Sequence, residues 1–389
     1  MGTAEFVYPG ATHSRFSHSL GTMHVMNQYL ENVSRENEMI ARSDEDWQRL
    51  RLAALLHDVG HHPFSHALES VIEEKFNGLG HEKQGVHIIN NIISDNLGSY
   101  SPHEITDILT KKVSDNVYPQ LISSDIDADK VDYLLRDAYH TGVTYGYIDV
   151  GRLLRVLRFD SEGDAIVTKA GPVIENLLIA RLHMFRSVYY HKTINAFDAM
   201  IARIFQLLVE RDFLPDPAQL LGSEDPAELA SFDDHLIWTA MVECERSHND
   251  DFLTSIVRMF LTREHLALAC SEVHYSTREQ GLPEGCAKVV ALKNSNRMMD
   301  ALVERASRIS GTDISREWIF PFVSPKRISI IPEDTPLRIE KNGEKIRLEE
   351  EDSLFLPRLG SVILTDTKIY TKPGLEQFVK QAFEETEPQ

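Results

Sequence analysis

Residues 50–66 read LRLAALLHDVGHHPFSH, an apolar helical stretch that runs directly into a His-Asp pair. A neutral imidazole and a carboxylate side by side can share one divalent cation. The three histidines that follow suit the binding of an anion or proton transfer near neutral pH. Gly60 and Pro63 are expected to end the helix at this point. The stretch therefore predicts a helical framework with a metal or phosphate site at the end of one helix.

The chain has 389 residues, 42% of them hydrophobic, which is enough for one large domain with an appendage or for two domains. It has no apolar run of about 18 residues, so a transmembrane helix is not expected. The first residues, MGTAEFVYPG, lack the basic and apolar parts of a signal peptide. The three cysteines form no CxxC pair, which indicates free thiols in a reducing compartment and predicts a cytoplasmic protein.

The formal net charge of −20 argues against general nucleic-acid binding, because such a surface repels a polyanion. It remains compatible with one basic pocket for a small phosphate ligand. Nine of the 17 histidines lie in residues 1–87. Even spacing would place about four there, so the functional site is expected in the N-terminal part.

Apolar periodicity predicts helices along most of the first 315 residues. Ser43 is the expected N-cap of the helix that leads to Asp58, with Asp46 three residues further on. A small hairpin is expected around Glu162-Gly163. The expected helices run over roughly Ser14–Asn32, Ser43–Asp58, Ser65–Phe76, Glu82–Asn96, Ser101–Lys111, Asp129–Tyr139, Val150–Val156, Val173–Val209 and Ala227–Val273.

The pattern changes after about Arg316, where RISIIP, LRIEKNGEKIRL and SVILTDTKIY are rich in β-forming residues. Asn342-Gly343 is a strong hairpin signal. We therefore predict a mainly α protein, with a helical domain over residues 1–315 and a smaller α+β appendage over residues 316–389.

Two N-terminal stretches carry further candidate residues. In YPGATHSRFSHSLG, Arg15 and His18 lie three apart on one side of a helix, where they suit a phosphate clamp and a metal ligand. The alternative is a buried helix with ordinary polar caps. His81 opens HEKQGVHII, and the neighbouring Glu82 could hold its imidazole protonated as a general acid. The alternative for His81 is a simple helix N-cap.

Two later helices carry polar stripes. Asp129, Tyr133 and Asp137 repeat at i, i+4 and i+8, with Lys130 beside them, which suits a ligand-facing wall. A calcium loop is rejected here because Lys130 occupies the required glycine position; a solvated acidic helix remains the alternative. Arg181 and Tyr189 belong to a second stripe of this kind, which suits a triphosphate and a sugar. Ordinary helix packing with a basic C-terminal end is the alternative there.

The ordered set H…HD…D resembles the HD phosphohydrolase superfamily. The segments YPGATHSRFSHSLG, ALLHDVGHHPFSH, HEKQG, IDADKVDYLLRD and RSVYYHK, which span about residues 8–192, resemble its deoxynucleoside triphosphate triphosphohydrolases. The resemblance implies hydrolysis of a deoxynucleoside triphosphate to the deoxynucleoside and tripolyphosphate. Two alternatives stay open: an HD-type phosphatase or phosphodiesterase acting on a nucleoside monophosphate or cyclic nucleotide, and a non-catalytic nucleotide sensor.

The resemblance also implies roles for individual residues. One divalent ion, which could be Mn, Fe, Ni, Zn or Mg, would be held by His18, His57, Asp58 and Asp129. Catalysis would fall to His81, with His61 and His66 at the scissile phosphate. The phosphate contacts would be Arg15, Lys130 and Arg181, and the sugar-side wall would be Tyr133, Asp137 and Tyr189. A homo-oligomer is implied, as is an allosteric nucleotide in some members.

Overall fold

The computed structural model describes residues 2–36, 43–113, 117–159, 165–168, 171–247, 251–277, 281–324, 328–329, 337–353 and 355–386. Helices account for most of these residues, which confirms the predicted mainly α class. The turn of the hairpin predicted at Glu162-Gly163 lies outside the described residues.

Most of the described chain is α-helical. The helices in chain order are α1 (Arg15–Glu36), α2 (Asp44–Leu56), α3 (His66–Phe76), α4 (His81–His87), α5 (Pro102–Leu109), α6 (Val117–Ile122), α7 (Ala128–Thr141), α8 (Val150–Val156), α9 (Gly171–Met184), α10 (Lys192–Glu210), α11 (Pro217–Leu221), α12 (Pro226–Ser231), α13 (Asp234–Arg246), α14 (Phe252–Leu261), α15 (Glu284–Asn294), α16 (Asn296–Ser310), α17 (Leu356–Ser361) and α18 (Glu376–Glu384). Two π-helical segments, Ile88–Ile92 and Phe185–Tyr189, follow α4 and α9. The helices predicted over Glu82–Asn96 and Val173–Val209 therefore each consist of more than one element.

The chain divides into two compact units that alternate along the sequence. The first contains Met1–Ser187, Pro215–Asp234 and Ile331–Gly360, and the second contains Val188–Leu214, His235–Ile330 and Ser361–Gln389. The domain boundary expected after residue 315 stays a prediction.

The first unit contains a small four-stranded sheet. Its strands, in their order across the sheet, are β1 (Leu157–Phe159), β2 (Ala165–Thr168), β6 (Arg338–Lys341) and β7 (Glu344–Arg347). Strands β1 and β2 pair antiparallel, as the predicted hairpin requires. Strands β6 and β7 also pair antiparallel, and Asn342 and Gly343 join them with φ values of 55° and 82°. Positive φ at both turn residues is what an Asn-Gly hairpin favours.

The second unit contains an antiparallel sheet whose strands are β3 (Ala267–Thr277), β4 (Ile319–Val323), β5 (Ile328–Ser329) and β8 (Val362–Thr371). Strand β8 pairs with β3 on one side and with β4 and β5 on the other. The prediction of helix over Ala227–Val273 is wrong at its end, because β3 begins at Ala267. Pairing along the length of β8 decides the conformation there, since strand preference depends strongly on the neighbouring strand.

Helices α1, α2 and α7 pack together in the first unit and supply the framework of the site. Ser43 caps α2 as predicted, because its hydroxyl accepts a hydrogen bond from the Asp46 N–H at 3.1 Å. The fully buried Tyr29 of α1 donates its hydroxyl hydrogen bond to the carbonyl of Ile126, just before α7. The Tyr29 hydrogen bond thus joins α1 to the segment that leads into α7, and Ser43 stabilises the end of α2 opposite to His57 and Asp58.

Among the described residues, no helix combines the length and the apolar character needed to cross a membrane.

Candidate metal and phosphate site

The four predicted metal ligands converge from the ends of three helices. His18 lies in the first turn of α1, Asp129 lies in the first turn of α7, and His57 and Asp58 directly follow α2. Asp129 Oδ1 is 3.1 Å from His18 Nε2 and 3.5 Å from His57 Nε2. The Asp58 carboxylate lies 3.7 Å from His18 Nε2 and 3.4 Å from His57 Nε2. Ligand atoms of His18, His57 and Asp129 thus lie within 4.8 Å of one another, and the Asp58 carboxylate adjoins both imidazoles.

The orientation of His57 fits a bound metal ion. Its Nδ1 donates to the carbonyl of Ala54 at 2.9 Å, which leaves Nε2 as the unprotonated nitrogen of the neutral ring. Within the described part of the chain, this buried Nε2 has no hydrogen-bond partner. A buried polar atom without a partner is costly unless something else coordinates it. Mixed imidazole and carboxylate donors suit Mn, Fe, Ni or Zn, and Mg with more water ligands.

The electrostatics of this cluster favour a bound cation. Burial raises the pKa of Asp58, but the hydrogen bond from His61 and the nearby cations outweigh burial and hold that pKa well below its usual value. The pKa of Asp129 is likewise lowered, because the neighbouring imidazoles of His18 and His57 outweigh its burial. Both carboxylates are therefore ionised at neutral pH and provide the negative charge that a divalent ion requires.

A second cluster contains three histidines and one glutamate. The rings of His61 and His81 stack with centroids 4.2 Å apart, and the ring of His66 lies edge-on to both. Nitrogen atoms of the three rings lie within 4.8 Å of one another. His61 Nε2 is 3.4 Å from Asp58 Oδ1, so this cluster adjoins the predicted metal ligands.

Glu69 of α3 binds two histidines of this cluster. No sequence motif had indicated Glu69. Its carboxylate accepts hydrogen bonds from Nδ1 of His81 and, at 3.0 Å, from Nδ1 of His66. The hydrogen bond with Glu69 raises the pKa of His81, whereas burial lowers the pKa of His61 to about 3. Glu82, the predicted partner of His81, is exposed and raises that pKa less than Glu69 does. The cluster therefore combines His81, whose raised pKa favours the protonated imidazole, with His61, whose imidazole is neutral.

Gly60 brings the two clusters together. A Cβ built on Gly60 would lie 2.2 Å from both the Gly85 N and the His81 O atoms of α4. Because these are backbone atoms, a side chain at this position would push α4 away from the loop that follows Asp58. The glycine thus allows His81 to sit beside His61. In the same loop, His62 contacts the backbone instead of the histidine cluster: its Nε2 lies 2.8 Å from the carbonyl of Leu79.

The three predicted phosphate contacts are cations that each lie beside a carboxylate. Arg15 donates to Asp58 at 2.6 Å and to the Ser65 hydroxyl at 3.1 Å. Lys130 donates to the fully buried Asp127 at 2.8 Å. Arg181 Nη1 lies 3.9 Å from Asp125 Oδ1. Asp125 and Asp127, which gave the sequence its resemblance to a calcium loop, are therefore neighbours of cations.

The predicted sugar-side residues lie in different environments. Tyr133 is partly buried one turn beyond Asp129 on α7, and burial raises its pKa. Asp137 is buried and lies 2.8 Å from Nε2 of His13, a residue that the sequence analysis did not single out. Tyr189 ends a π-helical segment and belongs to the second compact unit, whereas the other predicted site residues belong to the first.

Comparison with known proteins identifies the family. The HD domain matches residues 15–136, which contain both clusters, and the HD associated region matches residues 148–280. The chain belongs to the HD-domain phosphohydrolase superfamily, as the ordered motifs predict. It is similar, with 25% identity and a TM-score of 0.71, to the crystal structure of a phosphohydrolase from Bacteroides thetaiotaomicron; the match covers 95% of this chain and 91% of the other.

Two curated relatives each match somewhat more than half of the chain. An uncharacterised protein of Methanocaldococcus jannaschii is 42% identical over 206 residues, covering 52% of this chain and 41% of the relative. The deoxynucleoside triphosphate triphosphohydrolase SAMHD1 homolog of Dictyostelium discoideum is 31% identical over 241 residues, covering 58% of this chain and 47% of the relative. The chain thus spans about half the length of the curated relatives that it matches.

Proposed function

We propose that this phosphohydrolase cleaves deoxynucleoside triphosphates to the deoxynucleoside and tripolyphosphate, using one divalent ion. The observation that carries the proposal is the contact between the two clusters. His18, His57 and Asp129 lie close together, and Asp58, which adjoins both imidazoles, connects them through His61 to the His81–Glu69 pair. Similarity to a relative described as a deoxynucleoside triphosphate triphosphohydrolase supports this choice of substrate.

The proposed chemistry assigns separate tasks to the two clusters. A divalent ion bound by the first cluster would polarise a phosphoryl oxygen and lower the pKa of a coordinated water. His81, whose pKa is raised by Glu69, would act as the general acid that protonates the 5′-oxygen of the departing deoxynucleoside as its bond to the α-phosphorus breaks. His61 and His66 would contact the scissile phosphate. Glu82 adds only a weaker, longer-range charge near His81.

The cations favour a triphosphate over a monophosphate. Arg15, Lys130 and Arg181 would contact the phosphate chain and stabilise the charge that develops on its oxygens as water attacks the α-phosphorus and the bond to the 5′-oxygen of the deoxynucleoside breaks. Each is already oriented by a nearby aspartate. A single phosphate group would leave at least one of these three cations without a phosphate contact. A homo-oligomer and an allosteric nucleotide, both implied by the resemblance, are part of the proposal.

A product analysis tests the proposed reaction. The full chain is incubated with each of four dNTPs and four NTPs in the presence of Mn²⁺, and the products are separated by ion-exchange chromatography. Equal amounts of deoxynucleoside and tripolyphosphate are the expected products. Orthophosphate without tripolyphosphate would instead indicate the HD-type phosphatase, and intact nucleotide after tight binding would indicate a sensor.

Preference for deoxyribose is the first quantitative prediction. We expect Tyr133 to crowd the 2′ position of the sugar while Asp137, held by His13, accepts a hydrogen bond from the 3′-hydroxyl. An added 2′-hydroxyl would meet the ring and remain unpaired, which costs about 1–3 kcal/mol. The ratio of kcat/KM for dGTP to that for GTP should therefore be roughly tenfold or more.

Two variants separate sterics from hydrogen bonding at Tyr133. Tyr133→Ala should bring the ratio for dGTP over GTP close to one, because it removes the ring. Tyr133→Phe is the matched control and should keep most of the preference, since it retains the ring and loses only the hydroxyl. Equal kcat/KM values for the two nucleotides in the unmodified protein would contradict the proposed sugar contact.

A further inference from the structure

Behind the predicted metal ligand His18 lies a buried carboxylate that no motif identified. Asp132 of α7 is 7% exposed, and its Oδ2 is 2.8 Å from Nδ1 of His18. Arg136, one turn further along α7, donates to both oxygens of Asp132, from Nε at 2.8 Å and from Nη2 at 2.9 Å. The imidazole of His18 is thus held on the side opposite to the cluster by a carboxylate that is itself held by a guanidinium.

We propose that Asp132 and Arg136 position His18 for metal binding, so that α7 supplies the ligand Asp129 and also holds the ligand of α1. The inference rests on the proposed function, because it takes His18 to be a metal ligand. Asp132 and Arg136 act through His18 and are positioning residues, since Asp132 binds the far nitrogen of that imidazole and Arg136 binds Asp132.

The hydrogen-bond pattern determines which nitrogen of His18 faces the cluster. The bidentate pair with Arg136 keeps Asp132 ionised, and an ionised carboxylate can only accept hydrogen bonds. Nδ1 of His18 must therefore carry the hydrogen. In the neutral ring Nε2 then keeps its lone pair, and it is Nε2 that lies 3.1 Å from Asp129. Carboxylates that hold the far N–H of a metal-binding imidazole fix its tautomer and increase its basicity.

A glycine in α1 provides independent support for the arrangement. A Cβ built on Gly21 would lie 1.9 Å from Asp132 Oδ1 and 2.2 Å from Arg136 Nη2. Gly21 lies inside α1, where alanine would be the better helix former. The absence of a side chain therefore makes room for the ion pair next to His18. The ion pair and the glycine form one packed unit between α1 and α7.

Metal titration tests the positioning role. The full chain is freed of metal with a chelator, and its Kd for Mn²⁺ is measured by calorimetry without nucleotide. Asp132→Asn keeps the shape of the side chain but removes its charge, and it should raise the Kd roughly 10- to 100-fold. Arg136→Met should raise the Kd less, because Asp132 remains. The visible spectrum of bound Co²⁺ should change in both variants, since it reports the geometry of the ligands.

Asp137→Asn is the matched control for metal affinity. Asp137 is also a buried aspartate of α7 paired with a histidine at 2.8 Å, but that histidine, His13, is not a predicted ligand. The control should lose a similar interaction and leave the Kd for Mn²⁺ unchanged. If Asp132→Asn changes the Kd no more than Asp137→Asn does, the positioning role is wrong.

Gly21→Ala tests the same inference without changing any charge. The new methyl group should displace Asp132 and Arg136 and weaken Mn²⁺ binding, although alanine favours the helix. Gly151→Ala in α8 is the control, because the nearest atoms to its Cβ would be 3.7 Å away. Unchanged affinity in Gly21→Ala would overturn the inference. An unmodified protein that binds no Mn²⁺ would overturn the metal centre as well, whereas metal binding without dNTP cleavage would overturn only the proposed reaction.

Discussion

Replacing Asp58 with alanine is expected to remove the metal ion and nearly all activity. The Asp58 carboxylate lies within 3.7 Å of both predicted histidine ligands and also pairs with Arg15 at 2.6 Å. Its loss takes one negative charge from the cluster and leaves a cation beside it. A metal ion contributes several kcal/mol to a phosphoryl-transfer barrier, so kcat/KM should fall by roughly 10³-fold or more.

Two measurements are needed to interpret this variant. Metal content after dialysis is determined by mass spectrometry, and dNTP cleavage is followed under steady-state conditions. Asp95→Ala is the control, since Asp95 is an exposed aspartate of the same compact unit. Its metal content and activity should match those of the unmodified protein. If the Asp58 variant keeps both its metal and its activity, the ligand assignment is wrong.

The helical framework was predictable because local signals mark its ends. Ser43 caps α2, and Asn77 ends α3 with a φ of 53°, as the sequence indicates. Strand β3 was missed because its conformation depends on β8, which lies about 90 residues later in the chain. The loop that follows Asp58 was also only partly predictable. Phe64 and Ser65 both adopt positive φ there, at 51° and 57°, which tertiary contacts must stabilise.

The candidate metal ligands were predictable from the sequence, whereas the residues that contact the site side chains were not. His18, His57, Asp58 and Asp129 form an ordered motif that can be read along the chain. Glu69, Asp132 and His13 became visible only when helices packed, because each contacts a residue that is distant in sequence or on another element. Glu82 shows that a neighbour in sequence need not be the hydrogen-bond partner in the fold. It neighbours His81 in sequence but is exposed, and Glu69 holds the imidazole instead.

Replacing His81 with alanine should lower kcat by roughly 10²-fold or more while leaving the metal bound. His81 contacts His61 and Glu69 and is absent from the cluster formed by His18, His57 and Asp129. Loss of the general acid would slow the chemical step without removing a ligand. His87→Ala, on the same helix but hydrogen-bonded to Asn91, is the control and should retain the kcat of the unmodified protein.

The pH dependence of kcat distinguishes a general acid from a structural histidine. An acid works only when protonated, so the rate should be full below the pKa of His81 and fall as the pH rises through it. The hydrogen bond with Glu69 raises that pKa. Glu69→Gln removes the charge that stabilises the imidazolium, and it should move the fall in rate to lower pH. If His81→Ala retains a normal kcat, or if the pH profile of Glu69→Gln is unchanged, His81 serves only to begin α4.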